Sequence, residues 1–541
     1  MRRMKLVFYV MFIGLYSANA QLSTSKLPIF IINTKGQSIK DEPKILAELK
    51  VVYNGEGKDN KLTDTQFHYN SFVGIEYRGS SSQMFPKKGL GIELRTEKGE
   101  NNPLALCGLP EDSDWILFAS YNEKSLMHNV LSMSFARQMG MNASRTKYVE
   151  VVINNSYQGV YVLMEKIKVD KNRVDIATLK PEDVSGDELT GGYIVKIDKS
   201  TGTNYGTFRS NYTNTNGFAN QYFYHLPKTI NDTQKNYIRA YIRKFEDAIY
   251  GKDFKDELKG YHQYVDLSSF AKMFIVNEVS RNIDGYRISS YFSKDKDSKG
   301  GKLTASPPWD YDISYGNADY CEGSRYDLWA YKFNEICPRD GFQVPVFWER
   351  MISDPKFIGE LRNIYFEQRK KGGVLDHDRM VKEIDGLKEN LGEAAIRNFQ
   401  KWPIIGTYVW PSPQPVPQTW DLEIVELKNW IYNRLTWMDR NFPEEFVLTS
   451  NELTSENLQI TAFPNPFVDK LQVKILSQKA QKAEVTFSDI TGRMILKKNI
   501  ELVEGENFVD FDQIQNVNDF LFLKVKTVSG LMELKKVVRV K

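Results

Sequence analysis

The spacing of apolar residues changes twice along this chain, and that succession limits the folds open to it. From Leu27 to about Leu106, short β-rich runs such as 29–32 and 73–77 are separated by Gly, Asn and Asp. A more helical middle follows, and beyond Ser450 the runs again become short and alternating. We therefore predict an α+β protein: a core with a β-rich N-terminal part and a helical C-terminal part, followed by a small all-β sandwich.

Individual elements follow from the same periodicities. Apolar residues at helical spacing predict a helix around 127–135 that ends at Gly140, a helix capped by Asp266, and a helix over 420–440. Strands are predicted in the core and in the tail, at 148–153, 159–164, 192–198, 286–292, 302–313, 471–475, 483–487, 508–511 and 520–526.

The N-terminus has the order of features typical of a signal peptide. A basic start at 1–5 precedes an apolar run at 6–16, and Ala18-Asn-Ala20 provides a cleavage site. We predict a signal peptide over 1–20, a core domain over 21–443, a linker over 444–455 and the β-sandwich over 456–541. No later run of 18 or more apolar residues occurs, so we expect an exported mature chain without a transmembrane segment.

Composition excludes several functional classes. The 72 Lys and Arg nearly balance the 69 Asp and Glu, for a net charge of +3, which argues against a nucleic-acid partner. Three Cys without a C-x-x-C pair exclude zinc ribbons and disulfide scaffolds. Export permits a disulfide between Cys321 and Cys337, but the sequence leaves this pairing open.

Three acidic residues are the strongest candidates for chemistry. Asp310 and Asp312 stand two apart, so an extended backbone would turn both to one face and Tyr311 to the other. Asp284 stands 26 residues earlier, before a predicted hairpin that could return it beside them. Such carboxylates repel one another, and a hard cation such as Mg²⁺ would relieve the repulsion. The competing interpretation is that Asp284 and Asp310 cap turns and that Asp312 is solvated.

A basic loop and an acid–base pair are the next candidates. Arg78, Lys87 and Lys88 surround a serine-rich turn whose backbone N–H groups could hold an anion; a hairpin with a solvated basic tip is the alternative. Glu165 could orient Lys166 toward a phosphate, although such neighbours are often surface pairs. Neither a P-loop nor the glycine-loop, H-R-D and D-F-G motifs of ordinary protein kinases are present.

Several motifs occur in the order found in one known family. From about Leu27 to Asn441 the chain resembles the CotH spore-coat kinase family, through the motifs Arg78-Gly-Ser-Ser-Ser, Phe85-Pro-Lys-Lys88, Asp114-Trp-Ile-Leu, Gly159-Val-Tyr-Val-Leu-Met-Glu-Lys166, Gly191-Gly-Tyr-Ile, Asn282-Ile-Asp-Gly-Tyr and Pro308-Trp-Asp-Tyr-Asp312. The resemblance implies a divergent protein-kinase-like, two-lobe fold. It also implies an enzyme that uses ATP and Mg²⁺ or Mn²⁺ to phosphorylate Ser or Thr of secreted or surface proteins.

The resemblance also implies residue roles. Asp284 corresponds to the catalytic-loop aspartate, Asp310 to the metal-binding aspartate and Asp312 to a second acidic contact. The nucleotide side would be formed by five residues, namely Arg78, Lys87, Lys88, Glu165 and Lys166. Two positions depart from the expected patterns: Ser289 replaces the metal-binding Asn of ordinary kinases, and His128 stands where this family is expected to have Arg.

The tail resembles a second family. The segments 463–467, 489–493 and 535–540 are similar to the type A sorting domain read by the type IX secretion system of Bacteroidota. This resemblance implies passage through the periplasm and outer membrane, and a secreted or cell-surface protein.

Three functional hypotheses follow. The first is an exported ATP-dependent Ser/Thr kinase, and the second is a catalytically inactive surface scaffold that binds a protein or glycan. The third, a metal-dependent phosphoester hydrolase, ranks last because the clustered acids lack accompanying His.

Overall fold

The computed structural model describes residues 22–200, 205–443, 458–465, 467–477, 479–489, 493–512, 514, 519–528 and 532–539. The chain divides into two compact units, Met1–Glu445 and Phe446–Lys541. The predicted signal peptide at 1–20 and linker at 444–455 lie outside the described residues.

The first unit contains both strands and helices. Its described strands are β1 (Thr24–Ser25), β2 (Ile29–Asn33), β3 (Ile45–Val52), β4 (Asn60–Lys61), β5 (Tyr69–Arg78), β6 (Gly89–Arg95), β7 (Asp114–Phe118), β8 (Thr146–Ile153), β9 (Ser156–Glu165), β10 (Tyr193–Ile197), β11 (Thr207–Arg209), β12 (Gln221–Leu226), β13 (Ser290–Lys294) and β14 (Leu303–Ala305). Its described α-helices are α1 (His128–Gln138), α2 (Gly186–Leu189), α3 (Asp232–Tyr250), α4 (Leu267–Ser280), α5 (Phe333–Ile336), α6 (Phe347–Ile352), α7 (Pro355–Arg369), α8 (His377–Lys401) and α9 (Trp420–Asn441).

The β-rich N-terminal part is a closed barrel with the strand order β2-β3-β5-β6-β7-β9-β8. Neighbours pair antiparallel except β2 and β8, whose parallel register from Ile29↔Glu150 to Ile32↔Ile153 closes the barrel. Buried apolar side chains fill the interior, among them Phe30, Leu49, Val73, Trp115 and Leu163. Closure leaves no free sheet edge, and it places the β5–β6 loop at one end of the barrel.

A second, antiparallel sheet with the order β11-β12-β10-β13-β14 packs with the helices. One large core joins Tyr222 and Val195 of this sheet to Ile242 of α3 and Phe274 of α4. Helix α4 is apolar on nearly all sides, as its almost complete burial requires. The sheet and helices together form the helical half that the sequence predicts.

The second unit consists of two antiparallel sheets around one core. Their strands are β15 (Gln459–Phe463), β16 (Lys470–Ser477), β17 (Gln481–Ser488), β18 (Met494–Leu502), β19 (Gly505–Asp512), β20 (Asp519–Thr527) and β21 (Met532–Arg539). The sheet orders are β15-β16-β19 and β18-β17-β20-β21, and Val473, Val485, Phe487 and Leu523 are buried between them. The four strands predicted in this region are confirmed.

Most of the predicted elements in the first unit are also confirmed, including α1, α4, α9, β8, β9 and β10. The strand predicted over 302–313 is wrong beyond Ala305. Pro307 and Pro308 lack the N–H groups that a strand needs, and Asp310 has a φ of 63°. Residues 306–313 therefore form an irregular segment.

The structure also answers the open cysteine question. Cys321 and Cys337 form a disulfide, and Cys107 is a buried free thiol.

In the parts of the chain that the structure describes, no helix has both the length and the apolar character needed to cross a membrane.

Candidate functional site

A cavity of about 1160 Å³ opens in the first unit. Its walls come from the β5–β6 loop, from strands of the barrel and of the second sheet, and from the segments around 284–291 and 309–313. Six of the predicted site residues, all of them charged, line the cavity: Arg78, Lys87, Lys166, Asp284, Asp310 and Asp312. The cavity therefore brings predicted acidic and basic site residues together.

Asp310 and Tyr311 point to opposite sides, although the backbone is not a strand. Asn282 Nδ2 donates to the Asp310 carbonyl at 3.0 Å, and the Tyr311 N–H donates to Asn129 Oδ1 at 2.9 Å. The Tyr311 hydroxyl is buried and donates to Asn277 Oδ1 at 2.8 Å. These bonds hold the irregular segment and leave the Asp310 side chain exposed to the cavity.

Asp312 is half-buried and held from two sides. Its carboxylate accepts a hydrogen bond from Asn122 Nδ2 at 3.0 Å, and its carbonyl accepts one from Asn317 Nδ2 at 3.0 Å. His128 Nδ1 lies 3.4 Å from the same carbonyl, and its Nε2 lies 3.4 Å from Glu123 Oε1. His128, one of the two departures noted in the sequence, thus stands directly behind Asp312.

Asp284 lines the cavity but is already paired. Arg287 donates to Asp284 Oδ1 at 2.7 Å and to Asp340 Oδ1 at 3.1 Å. The Asp284 side chain is 19% exposed, whereas that of Arg287 is 2% exposed. Arg287 therefore fixes the orientation of the Asp284 carboxylate from beneath.

The three carboxylates influence one another electrostatically. Protein atoms around the cavity displace part of the water near Asp310, although its side chain remains exposed. This desolvation, together with repulsion from Asp312 and Asp284, raises the pKa of Asp310 well above its usual range. The repulsion persists even though the Asp310 side chain is open to water. Burial also raises the pKa of Asp312, with Asp284 adding to the effect and Asn122 opposing it. A cation in this part of the cavity would relieve the repulsion.

Arg78 is a predicted cation whose charge acts on Asp310. Its guanidinium carbon lies 5.7 Å from the centre of the Trp309 ring, and its charge partly opposes the rise in the pKa of Asp310. The structure therefore brings Arg78 to the same part of the cavity as the aspartates.

The two predicted lysines of the β5–β6 loop differ in placement. Lys87 lines the cavity wall, but its Nζ donates to Asn398 Oδ1 at 2.9 Å and to the Val160 carbonyl. Burial lowers the pKa of Lys87 to about 7. Lys88 donates to the Gln83 carbonyl and is not part of the cavity lining. Both side chains are thus occupied by contacts within the protein.

Glu165 and Lys166 do not pair with each other. Glu165 is buried and accepts hydrogen bonds from the Arg145 backbone at 2.8 Å and guanidinium at 2.9 Å. Lys166 lines the cavity, with its Nζ 3.9 Å from Asp114 Oδ1. Burial lowers the pKa of Lys166, and Asp114 opposes this effect. Glu165 is the last residue of β9 and Lys166 follows it, and successive residues of an extended chain face opposite sides, which explains the separation.

Sequence reasoning missed several polar residues of the cavity, and three of them act on the segment 310–312. Asp198 follows β10, pairs with Lys196 at 2.6 Å and contributes to the rise in the pKa of Asp310. Asn122 and Asn129 also line the cavity, and both residues are buried. A polar residue at the end of the predicted strand 192–198 was the available signal for Asp198. The two amides come from a distant segment and had no such signal.

The donor chemistry of the cavity fits a hard divalent cation, because carboxylate and amide oxygens are the ligands that Mg²⁺ and Mn²⁺ prefer. Within the described ranges, however, no three His, Cys, Asp or Glu side chains are grouped closely enough to hold a metal ion. Asp284, Asp310 and Asp312 line one cavity, and the side chains of Asp310 and Asp312 are within hydrogen-bonding reach of each other.

Two family models match the chain. The CotH kinase protein family matches residues 75–438. The secretion system C-terminal sorting domain matches residues 461–538, and it indicates export by type IX secretion machinery to the surface or the medium.

Individual proteins were also compared with this chain. The inner spore coat protein H of Bacillus subtilis (strain 168) is 24% identical over 325 residues, which cover 59% of this chain and 80% of that protein. A crystal structure of beta-glucosidase from Listeria innocua in complex with glucose matches 16% of this chain and 16% of its own, with 16% identity and a TM-score of 0.12. So low a score carries no argument about the fold.

Proposed function

This chain belongs to the CotH kinase protein family, and we propose that it is an exported protein kinase that transfers the γ-phosphate of ATP to Ser or Thr hydroxyls of secreted or surface proteins. The observation that carries the proposal is the shared cavity: Asp284, Asp310 and Asp312 line it together with Arg78. Phosphoryl transfer needs this combination of acidic and cationic groups around the phosphates.

In the proposed reaction, the acceptor hydroxyl oxygen attacks the γ-phosphorus, the bond to the β-phosphate oxygen breaks, and ADP leaves. Asp284 accepts the hydroxyl proton, with its carboxylate oriented by Arg287. Asp310 and Asp312 would hold Mg²⁺ or Mn²⁺, which supplies positive charge to the phosphates when bound.

On the nucleotide side, we propose Arg78 and Lys166 as the cations that face the phosphates, since both line the cavity. Lys87 supports the wall through its bonds to Asn398 and Val160. Lys88 and Glu165 would act only through the loop and strand that they stabilise. A protein-kinase-like, two-lobe arrangement of the domain over 21–443 belongs to the same proposal.

The domain order fits an exported enzyme. We propose that the signal peptide at 1–20 directs the chain to the periplasm and that the domain over 456–541 presents it to the type IX machinery, with 444–455 as the linker. The substrate would then be a protein that meets the enzyme outside the cytoplasm.

The test is transfer of labelled γ-phosphate from ATP to casein by the full chain, in the presence of Mg²⁺ or Mn²⁺. We expect Asp284→Asn and Asp310→Asn to lower the rate by about 100-fold or more while melting like the wild type. Asp232→Asn is the matched control, because this side chain is 98% exposed and lies outside the cavity lining.

Transfer at the wild-type rate by both cavity variants would contradict the assigned roles. Absence of both transfer and saturable ATP binding would instead support the alternative, an inactive scaffold that binds a protein or glycan.

A further inference from the structure

The side chain of Asn129 contains a buried hydrogen-bond donor that no described residue satisfies. Asn129 is 4% exposed and lines the cavity. Its Oδ1 accepts the Tyr311 N–H at 2.9 Å, and its Nδ2 has no hydrogen-bond partner among the described residues. Because a backbone N–H can only donate, this contact fixes which end of the amide is oxygen.

Leaving a buried amide donor unpaired is costly, and native proteins rarely do so without a reason. Asn60 provides the contrast within this chain. It is also fully buried, but its Oδ1 accepts from the Asn54 N–H at 2.8 Å and its Nδ2 donates to the Leu27 carbonyl at 3.0 Å. The free Nδ2 of Asn129 therefore points to an acceptor that is not part of the protein.

The surroundings indicate the chemistry of that acceptor. Asn129 contacts the peptide group that follows Asp310, so an oxygen bound to Nδ2 would lie beside the carboxylates. A neutral amide can hold an anionic oxygen there without changing the net charge, while Arg78 supplies positive charge nearby. The N-terminus of α1 contributes little to binding an anion here, because Glu123 already accepts the His128 N–H.

We propose that Asn129 is a substrate-binding residue whose Nδ2 donates to a phosphate oxygen of the nucleotide. The inference rests on the proposed function, which puts ATP in this cavity. The proposal concerns the donor end of Asn129 and not the metal-binding role that an Asn has in ordinary kinases, where this chain has Ser289; the Asn129 oxygen accepts the Tyr311 N–H. The Asn129 Nδ2 is a donor to the substrate.

The test is calorimetric titration of the full chain with ATP and with adenosine in the presence of Mg²⁺. Asn129→Ala removes the donor without adding a charge, and Asn129→Asp keeps an oxygen for the Tyr311 N–H but adds a negative charge. We expect the Kd for ATP to rise about tenfold or more in both variants, while the Kd for adenosine is unchanged. Asn129→Ala decides the test should the charged variant fold poorly, and Asn60→Asp is the matched control, with an unchanged Kd for ATP.

The outcomes separate this inference from the proposed function. Equal ATP binding by the wild type and both Asn129 variants overturns the inference while the proposed function stands. An equal loss of affinity for adenosine also overturns it, since the effect would then be structural. If the wild type binds ATP but transfers no phosphate, the proposed function fails and the same Kd values still decide the role of Asn129. If the wild type does not bind ATP, both are overturned.

Discussion

Arg287 donates to Asp284 at 2.7 Å across a single turn of chain, and the same guanidinium reaches Asp340 at 3.1 Å. The Arg287 side chain is buried, lies 4.0 Å from the centre of the Phe333 ring and also donates to the Ile283 and Phe342 carbonyls. One cation therefore organises the backbone around the proposed base and neutralises part of its charge.

This arrangement predicts a large effect of Arg287 on stability. Arg287→Met would leave two carboxylates without their cation, and we expect the free energy of unfolding in urea at pH 7 to fall by about 2–4 kcal/mol. Arg325→Met is the control, because its half-exposed ion pair with Asp327 should be worth less than about 1 kcal/mol. If the free energy of unfolding fell equally in the two variants, the buried network around Arg287 would not be important for stability.

A second buried pair joins α8 to the barrel. Arg397 donates to both carboxylate oxygens of Glu150, at 3.0 and 2.8 Å, and Glu150 is fully buried. We expect Arg397→Met to destabilise the protein by about 3–5 kcal/mol, because it leaves a buried charge unpaired. The double variant Glu150→Gln/Arg397→Met should be more stable than Arg397→Met alone in the same urea titration. A double variant less stable than the single one would contradict this explanation.

Part of the site was predictable because it depends on local chain order. The spacing of Asp310 and Asp312 predicted that both would face one side with Tyr311 on the other, and both do line the cavity with Tyr311 buried. The predicted reason was wrong, since the segment is not a strand. Hydrogen bonds from Asn282 and to Asn129 produce the arrangement, and both partners come from other segments.

What the sequence could not supply are relationships between distant segments. The parallel pairing of β2 with β8, which closes the barrel, joins residues about 120 positions apart. The basic loop predicts that Lys87 lies on the nucleotide side of the site. The Lys87 Nζ donates a hydrogen bond to Asn398, which lies 311 residues further along the chain. Periodicity contains no information on such contacts, because it reports only which face of an element is buried.

Because of Lys87, the free energy of unfolding should depend on pH in the alkaline range. Burial lowers the pKa of Lys87 to about 7 from an unfolded value near 10.5. Between these values the unfolded chain binds more protons, so the free energy of unfolding should rise with pH, by at most about 1.4 kcal/mol per pH unit. Urea titrations from pH 7 to 10 should show this rise in the wild type and in Lys88→Met, whereas Lys87→Met should lack it. The same slope in Lys87→Met would assign the effect to other groups.

Glu423, in the first turn of α9, should act in the opposite direction. Its Oε1 is buried and has no hydrogen-bond partner in the part of the chain that the structure describes; Lys124 Nζ is 3.9 Å away, too far for a hydrogen bond. Burial raises the pKa of Glu423 to about 7, Glu123 adds to the rise and Lys124 opposes it. Between pH 4.5 and 7 the folded protein therefore binds more protons than the unfolded chain, and this contribution to stability is lost as the pH rises.

Relative to the wild type, the free energy of unfolding of Glu423→Gln should increase by about 1–2 kcal/mol between pH 5 and 8, a value reduced for partial exposure of the side chain. Glu389→Gln, which removes an exposed carboxylate from α8, should show no such trend. A stability difference for Glu423→Gln that stays constant across this range would show that Glu423 titrates in the folded protein as it does in the unfolded chain.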